Sequence, residues 1–100
     1  MLKSLNATVR TMSDLDKKTT IDTESGEMEV STVRLAVPHG PNRDQHYETC
    51  VFHEDGSTVT DRYQTESEAI DGHTDTLEAL RSGSYTLETS MVMKRLEIHE

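Results

Sequence analysis

The stretch from Thr65 to Gly83 limits the possible folds more than any other, because it carries both a start and a stop signal for one helix. Thr65 and Glu68 stand at the spacing of a capping box, in which each side chain satisfies a backbone donor of the first turn. Gly83 follows Arg81, where a helix C-terminus is expected. Residues between these signals recur at helical spacing on one face: Ala69, Ile70, His73, Leu77 and Leu80. The sequence therefore predicts one amphipathic helix from about Glu66 to Ser82.

Gly72 lies inside the predicted helix, beside its apolar face. A glycine in a helix interior costs about 1 kcal/mol relative to alanine. Two interpretations stay open: close approach of the helix to a sheet, or ordinary tolerance of a glycine.

The chain before the helix alternates between extended segments and turn signals. Residues 17–23 are rich in threonine, and residues 28–37 form the longest strand candidate. Ser25 and Gly26 separate them, which predicts an antiparallel hairpin. The apolar positions of residues 28–37 change phase, so we expect a bulge or a sheet corner near Ser31 and Thr32.

A second hairpin is predicted from residues 47–53 and 58–63, which flank the Asp55-Gly56 dipeptide. Asp-Gly readily adopts the positive φ angles of a tight hairpin turn. Residues 47–53 carry apolar groups on both phases, so both faces of this strand are expected to be covered.

The two ends of the chain are less regular. Leu5, Ala7 and Val9 alternate with polar residues, which indicates an edge strand or an extended arm over residues 1–15. Residues 85–100 fit either a final strand pair or an arm, and we favour strand. The predicted fold is one α+β domain, with a small, mostly antiparallel sheet of about five strands and one helix packed on one face.

Composition indicates a thin core and an acidic surface. Only 32% of the 100 residues are apolar, with one Phe and no Trp. Such a core is either completed by a partner subunit or belongs to a marginal monomer. The formal charge of -9 opposes binding to polyphosphates, so direct nucleic-acid binding is not expected. The charge is compatible with plain solubility, with mimicry of nucleic acid toward a basic protein, or with adaptation to high salt.

Targeting signals and disulfides are not expected. Cys50 is the single cysteine, so no intrachain disulfide forms. No stretch approaches the roughly 18 apolar residues of a membrane span, and the N-terminal residues lack the apolar core of a secretory signal.

The sequence shows no clear set of catalytic or metal-binding residues. Cys50 and His53 are three residues apart, so on a strand they point to opposite faces and cannot chelate one ion. His73 on the helix face is expected to be a hydrogen-bonded packing residue. No phosphate-binding glycine loop is present, and the paired carboxylates are typical of a solvated surface. We expect neither an enzyme nor a cofactor, a metal or a small-molecule substrate.

Two segments are candidates for contacts with other proteins. The loop of residues 38–45 is long for so small a domain, and it contains His39, Asn42 and Arg43. The alternative is a mobile surface loop. The second candidate is the C-terminal cluster of Met91, Val92 and Met93, because methionine adapts to irregular surfaces. The alternative is that this cluster is buried in the domain's own core.

A resemblance covers about a third of the chain. Its motifs are the segment Tyr-Glu-Thr-Cys-Val-Phe at residues 47–52, the segment from Tyr63 to Ala69 and the pair Gly72-His73. They resemble small, mostly uncharacterised proteins of tailed bacteriophages and archaeal viruses. Those proteins carry methionine where this chain has Cys50, a difference that does not disturb a packing role.

The resemblance implies a viral setting and two classes of function. The first is a structural or assembly protein of the particle, in the head, connector or tail. It would act through contacts with its own copies or with other virion proteins. The second is a non-structural acidic protein that blocks a host defence or DNA-binding enzyme. The expected location is the virion, or the host cytoplasm before assembly.

Overall fold

The structure is a computed structural model that describes residues 15–54, 56–89 and 94–99. Residues 1–14 of the predicted arm over residues 1–15 lie outside these ranges. The elements follow one another along the chain as β1 Asp16–Thr23, β2 Gly26–His39, β3 Gln45–His53, β4 Gly56–Tyr63, α1 Glu66–Ser82, β5 Tyr85–Thr89 and β6 Lys94–Ile98.

Strands β1 to β4 form a four-stranded antiparallel sheet in the order of the chain. Thr23 pairs with Gly26 across the first turn, and His53 pairs with Gly56 across the second. Gly26 has a φ of 108°, a conformation that an L side chain rarely adopts, so glycine suits this turn. Both predicted hairpins are confirmed.

The predicted bulge near Ser31 and Thr32 is wrong. Both residues pair in continuous register with β1 on one side and with β3 on the other. The phase change arises because Val30 and Thr32 point to one face of the sheet and Val33 to the other. The threonine continues the buried phase because its hydroxyl has buried partners, and the sequence pattern does not record those. The observed register shift lies further along, between Arg34 and His39.

The predicted loop of residues 38–45 is too long. Strand β2 continues through Pro38 to His39, and His39 pairs with Gln45 at the start of β3. Only residues 40–44 form the connection, which is closed by a hydrogen bond from the Arg43 N–H to the Gly40 carbonyl at 3.0 Å. Proline is tolerated here because β2 extends beyond the first residue of β1, where Pro38 has no described strand partner on that side.

Helix α1 has the predicted bounds, and its ends are stabilised as the sequence indicates. The Thr65 hydroxyl accepts the Glu68 N–H at 3.2 Å, and Glu68 Oε1 accepts the Thr65 N–H at 3.1 Å. Gly83 ends the helix in the left-handed conformation, with a φ of 80°. One predicted core residue is wrong, because Ile70 is 39% exposed and Thr76 is buried instead.

The segment after α1 is the predicted strand pair, and it forms a separate two-stranded sheet. β5 and β6 are antiparallel, with Leu87 opposite Leu96. This C-terminal hairpin packs beside β4 and α1, and the Leu96 N–H donates to the Thr58 hydroxyl of β4 at 3.3 Å.

The core lies between the sheet and the helix, in two clusters of buried side chains. The smaller cluster joins Tyr47, Tyr63 and Ala69 at one end of the sheet. The larger cluster draws on the sheet, the helix and the C-terminal hairpin, and consists of Ile21, Met28, Val30, Val51, Leu77, Leu80 and Leu96. One helix and one hairpin therefore cover a single face of the four-stranded sheet.

Candidate functional site: the open face of the sheet

The other face of the four-stranded sheet is the candidate site, and we call it the open face. Its side chains alternate with the buried ones along each strand, and no described helix or strand packs on them. Phe52 is 45% exposed and Val59 is 43% exposed, although both belong to strand interiors. The expectation that both faces of β3 are covered is therefore not met by the described residues.

The pairing of the strands places the apolar side chains of this face together. Cys50 pairs with Ser31 on one side and with Val59 on the other. Phe52 follows two residues after Cys50 and pairs with Glu29. The result is a small apolar centre of Cys50, Phe52 and Val59 with polar and charged neighbours.

An ion pair borders this apolar centre. Arg62 Nε donates to Glu48 Oε2 at 3.0 Å, across the β3–β4 pairing. Both side chains are partly buried, so the pair is less screened by water than a fully exposed one. It fixes charges of both signs beside the apolar centre.

Cys50 is poorly suited to nucleophilic chemistry in this setting. Burial raises the pKa of its thiol, the Ser57 side chain acts in the opposite direction, and the Glu48 charge raises it again. A reactive cysteine needs the reverse, a thiolate that is stabilised at neutral pH. His53 lies on the covered face, so the predicted separation of Cys50 and His53 is confirmed.

The covered face carries a chain of hydrogen bonds through its centre. The Tyr63 hydroxyl donates to Thr49 Oγ1 at 3.0 Å, and Thr49 Oγ1 lies 2.6 Å from Thr32 Oγ1. Thr32 Oγ1 lies 2.7 Å from His73 Nδ1, and His73 Nε2 lies 3.0 Å from Thr19 Oγ1. The predicted packing role of His73 is confirmed, since the residue is fully buried.

The donors of this chain can be assigned from the partners available. Tyr63 donates to Thr49, so the Thr49 hydrogen is satisfied only if it points to Thr32. Thr32 then donates to His73 Nδ1, and the imidazole carries its hydrogen on Nε2. A neutral His73 therefore completes the chain, whereas a proton on Nδ1 would leave a hydroxyl without a partner.

The same region explains Gly72. A Cβ on Gly72 would overlap the Tyr63 ring and its hydroxyl oxygen. The ring is held in place because its hydroxyl bonds to Thr49. Of the two interpretations of Gly72, the structure supports close approach of the helix to the sheet.

An acidic groove of 680 Å³ runs between β4, α1 and the C-terminal hairpin. Its lining includes carboxylates from both β4 and the helix, and the set is Asp61, Glu68, Asp71, Asp75 and Glu78. His99 of the C-terminal hairpin lies at the other side of the groove. The groove gives this side of the molecule a concentrated negative charge.

The interaction residues predicted from the sequence lie away from the apolar centre. His39 is exposed at the end of β2, and Asn42 and Arg43 are exposed in the short connection that follows. Arg43 has a positive φ of 52°, so the connection is a tight turn. Met91, Val92 and Met93 lie outside the described residues. The alternation of β3 does place Cys50 and Phe52 on the same face of the strand, and this is the sequence feature from which the open face could have been found.

The described part of the chain offers neither a cluster of metal ligands nor a membrane-spanning helix. Within residues 15–54, 56–89 and 94–99, no group of three or more His, Cys, Asp and Glu side chains is placed to hold a metal ion. His53 Nδ1 is buried without a hydrogen-bond partner, but it stands as a lone ligand. The described helix is neither long enough nor apolar enough to cross a membrane.

Comparisons with known proteins give no relative for this chain. No protein-family model matches the sequence, and neither a curated protein nor a solved structure matches it significantly.

Proposed function

We propose that this domain acts by binding other proteins through its open face, as a virion-associated structural or assembly protein of a tailed virus. The observation that supports binding is the exposure of Phe52 and Val59 on a sheet face that no described element covers. The viral setting comes from the resemblance of residues 47–52, 63–69 and 72–73 to proteins of tailed bacteriophages and archaeal viruses.

The chemistry of the open face fits a protein partner. Protein interfaces combine an apolar centre, in which aromatic side chains supply most of the affinity, with a polar rim. Phe52 is the only phenylalanine of the chain, and Cys50 and Val59 adjoin it. Glu48, Arg62 and Glu29 supply the charged rim.

Quantitative mass spectrometry of purified particles tests the proposal. We expect the chain at a fixed ratio to the major capsid protein of the virus that encodes it. A Phe52→Ser variant should lose incorporation by at least about tenfold, since a central aromatic anchor is worth roughly 2 kcal/mol or more. Ile70→Ser is the matched control, because Ile70 is similarly exposed but lies on the helix.

Absence of the chain from particles would reject the assembly role. Equal incorporation of the Phe52→Ser and Ile70→Ser variants would reject the open face as the binding surface.

The acidic groove favours a second candidate, a non-structural protein that binds a basic host enzyme. Five carboxylates on one side of the molecule would attract a cationic surface and speed association. This candidate predicts binding that weakens steeply with salt, and that weakens further when Asp75 and Glu78 are both changed to Lys. Binding that does not change with salt would exclude it.

A further inference from the structure

We propose that the outer edge of β1 pairs with the β1 edge of a second copy of this chain, so that the two four-stranded sheets become continuous. The proposal deepens the proposed function and rests on it, since it names a second copy as one partner of an assembly protein. It stands on the exposed backbone of β1 and on the charge pattern along it.

The outer edge of β1 carries backbone N–H and C=O groups that do not bond to β2. β1 pairs with β2 on one side only, and no described strand pairs with its other side. The Leu15 carbonyl accepts the Arg34 N–H at 3.0 Å, and Thr23 pairs with Gly26 at the hairpin end. Backbone groups alternate along a strand, so residues 15, 17, 19, 21 and 23 point to β2. The even-numbered residues Asp16, Lys18, Thr20 and Asp22 therefore point their N–H and C=O groups outward.

The charges of β1 are arranged for antiparallel pairing with an identical strand. The strand begins with the sequence Asp-Lys-Lys and ends with Asp22-Thr23, so its positive charges lie in the first half. If Thr20 of each copy meets at a two-fold axis, Lys18 faces the second copy's Asp22, and the relation holds in both directions. Both pairs lie at hydrogen-bonded positions, because even-numbered residues then face even-numbered ones.

Other registers satisfy the charges less well. A shift of two residues toward the start of the strand places Asp16 opposite the second copy's Asp22, which is repulsive. A shift of two residues toward its end places Lys18 opposite the second copy's Glu24, which belongs to the turn after β1, so this pair would lie outside the strand ladder. The existing contact of Lys18 Nζ with Asp16 is at 3.9 Å and partly exposed, so it does not hold the lysine back.

This geometry also has a consequence for the open face. A two-fold axis through an antiparallel strand pair stands perpendicular to the sheet, so both helices lie on one side and both open faces on the other. The two apolar centres around Phe52 then face the same way. A partner with a repeated surface would bind both at once, which raises the apparent affinity.

Sedimentation equilibrium of the full chain at about 0.15 M salt tests the pairing. We expect a weak dimer, because an interface of one strand from each copy is small. Lys18→Asp should raise the dimer Kd by roughly tenfold, since it reverses two cross-strand charge pairs. Asp22→Lys should do the same, and the double exchange should restore the Kd to within about threefold of wild type.

Two further variants separate edge pairing from general charge effects. Lys17→Asp makes the same change in net charge, but in this register Lys17 faces the second copy's Thr23, so the Kd should be nearly unchanged. Thr20→Pro removes an N–H that points away from β2, so it should abolish the dimer while leaving the thermal unfolding of the monomer cooperative.

A chain that is monomeric up to about 1 mM overturns the pairing. So does a dimer that responds equally to Lys17→Asp and Lys18→Asp, or one that is lost with Phe52→Ser but retained with Thr20→Pro. A different result would reject the proposed function and not the pairing: the β1 dimer would persist, while the Phe52→Ser variant would enter particles as well as wild type.

Discussion

The two faces of the four-stranded sheet are built from alternate residues of the same strands, yet they satisfy their side chains in different ways. On the covered face, Val30 and Val51 contact the helix and the hairpin, and the threonine hydroxyls complete a buried chain of hydrogen bonds. On the open face, Phe52 and Val59 keep almost half of their surface in water. The covered face therefore holds the buried core, and the open face carries apolar surface that no described element covers.

Polarity alone does not decide which face of the sheet a side chain occupies. Thr32, Thr49 and His73 are polar and fully buried, whereas the chain's only phenylalanine is exposed. Buried hydroxyls are tolerated because each has a partner, and removing one partner exposes the full cost of desolvating the other. Exposed aromatic surface has no such compensation within the described residues, and this is the observation behind the proposed partner.

The largest expected difference comes from one substitution made on each face. Val51→Ala should lower the free energy of unfolding by about 2 kcal/mol, because it removes buried methyl groups and leaves a cavity. Val59→Ala should lower it by less than about 0.5 kcal/mol, since Val59 is already largely solvated. Urea denaturation of both variants measures the two values. Equal losses would mean that the open face is covered in the folded monomer.

A second test targets the contact that brings the helix close to the covered face. Gly72→Ala should destabilise the protein by about 1–2 kcal/mol, because the new Cβ overlaps the Tyr63 ring. The sign is informative, since alanine in a helix normally gains about 1 kcal/mol over glycine. Urea denaturation gives the change in stability.

The matched background for this test is Tyr63→Leu, which removes the ring. There Gly72→Ala should be neutral or stabilising, so a double-mutant cycle isolates the contact. If Gly72→Ala stabilises the protein with Tyr63 in place, the helix does not approach the sheet as closely as described.

Local signals explain what the sequence predicts well. The helix bounds Glu66–Ser82 follow from Thr65, Glu68 and Gly83, whose effects operate within one turn. The hairpins follow from turn residues, and the α+β architecture follows from the order of the two periodicities.

The wrong predictions involve contacts distant in the chain. The prediction of a bulge near Thr32 is wrong, because a buried threonine looks like a break in an apolar pattern unless its hydroxyl partners are known. The sequence predicts that β2 ends before Pro38, because a proline marks a strand end unless it lies where no described strand pairs with it, and the pattern alone does not show that. Phe52 was placed on the correct phase, but which face of a sheet the single helix covers is decided by packing and not by either strand.

The smallest expected effect is a pH dependence of stability, and it comes from His73, which is bonded to the covered face. Burial lowers the pKa of its imidazole, and the charge of Lys17 lowers it further. As the pH falls through about 6.5, the unfolded chain takes up a proton on this histidine, whereas the folded chain does not yet do so. The contribution of His73 to the free energy of unfolding is therefore fully present above that pH and declines below it. Between pH 7.5 and 5.5 we expect a loss of roughly 1 kcal/mol from this group.

Two glutamine variants isolate this group in urea unfolding at both pH values. His73→Gln keeps an amide that can donate and accept but does not titrate, so its stability should depend less on pH than that of wild type. His39→Gln changes an exposed histidine in the same way and should leave the wild-type pH dependence in place. If the two variants behave alike, the buried hydrogen-bond chain tolerates a charged imidazole. The donor order from Tyr63 through Thr49 and Thr32 to His73 would then have to be reversible at little cost.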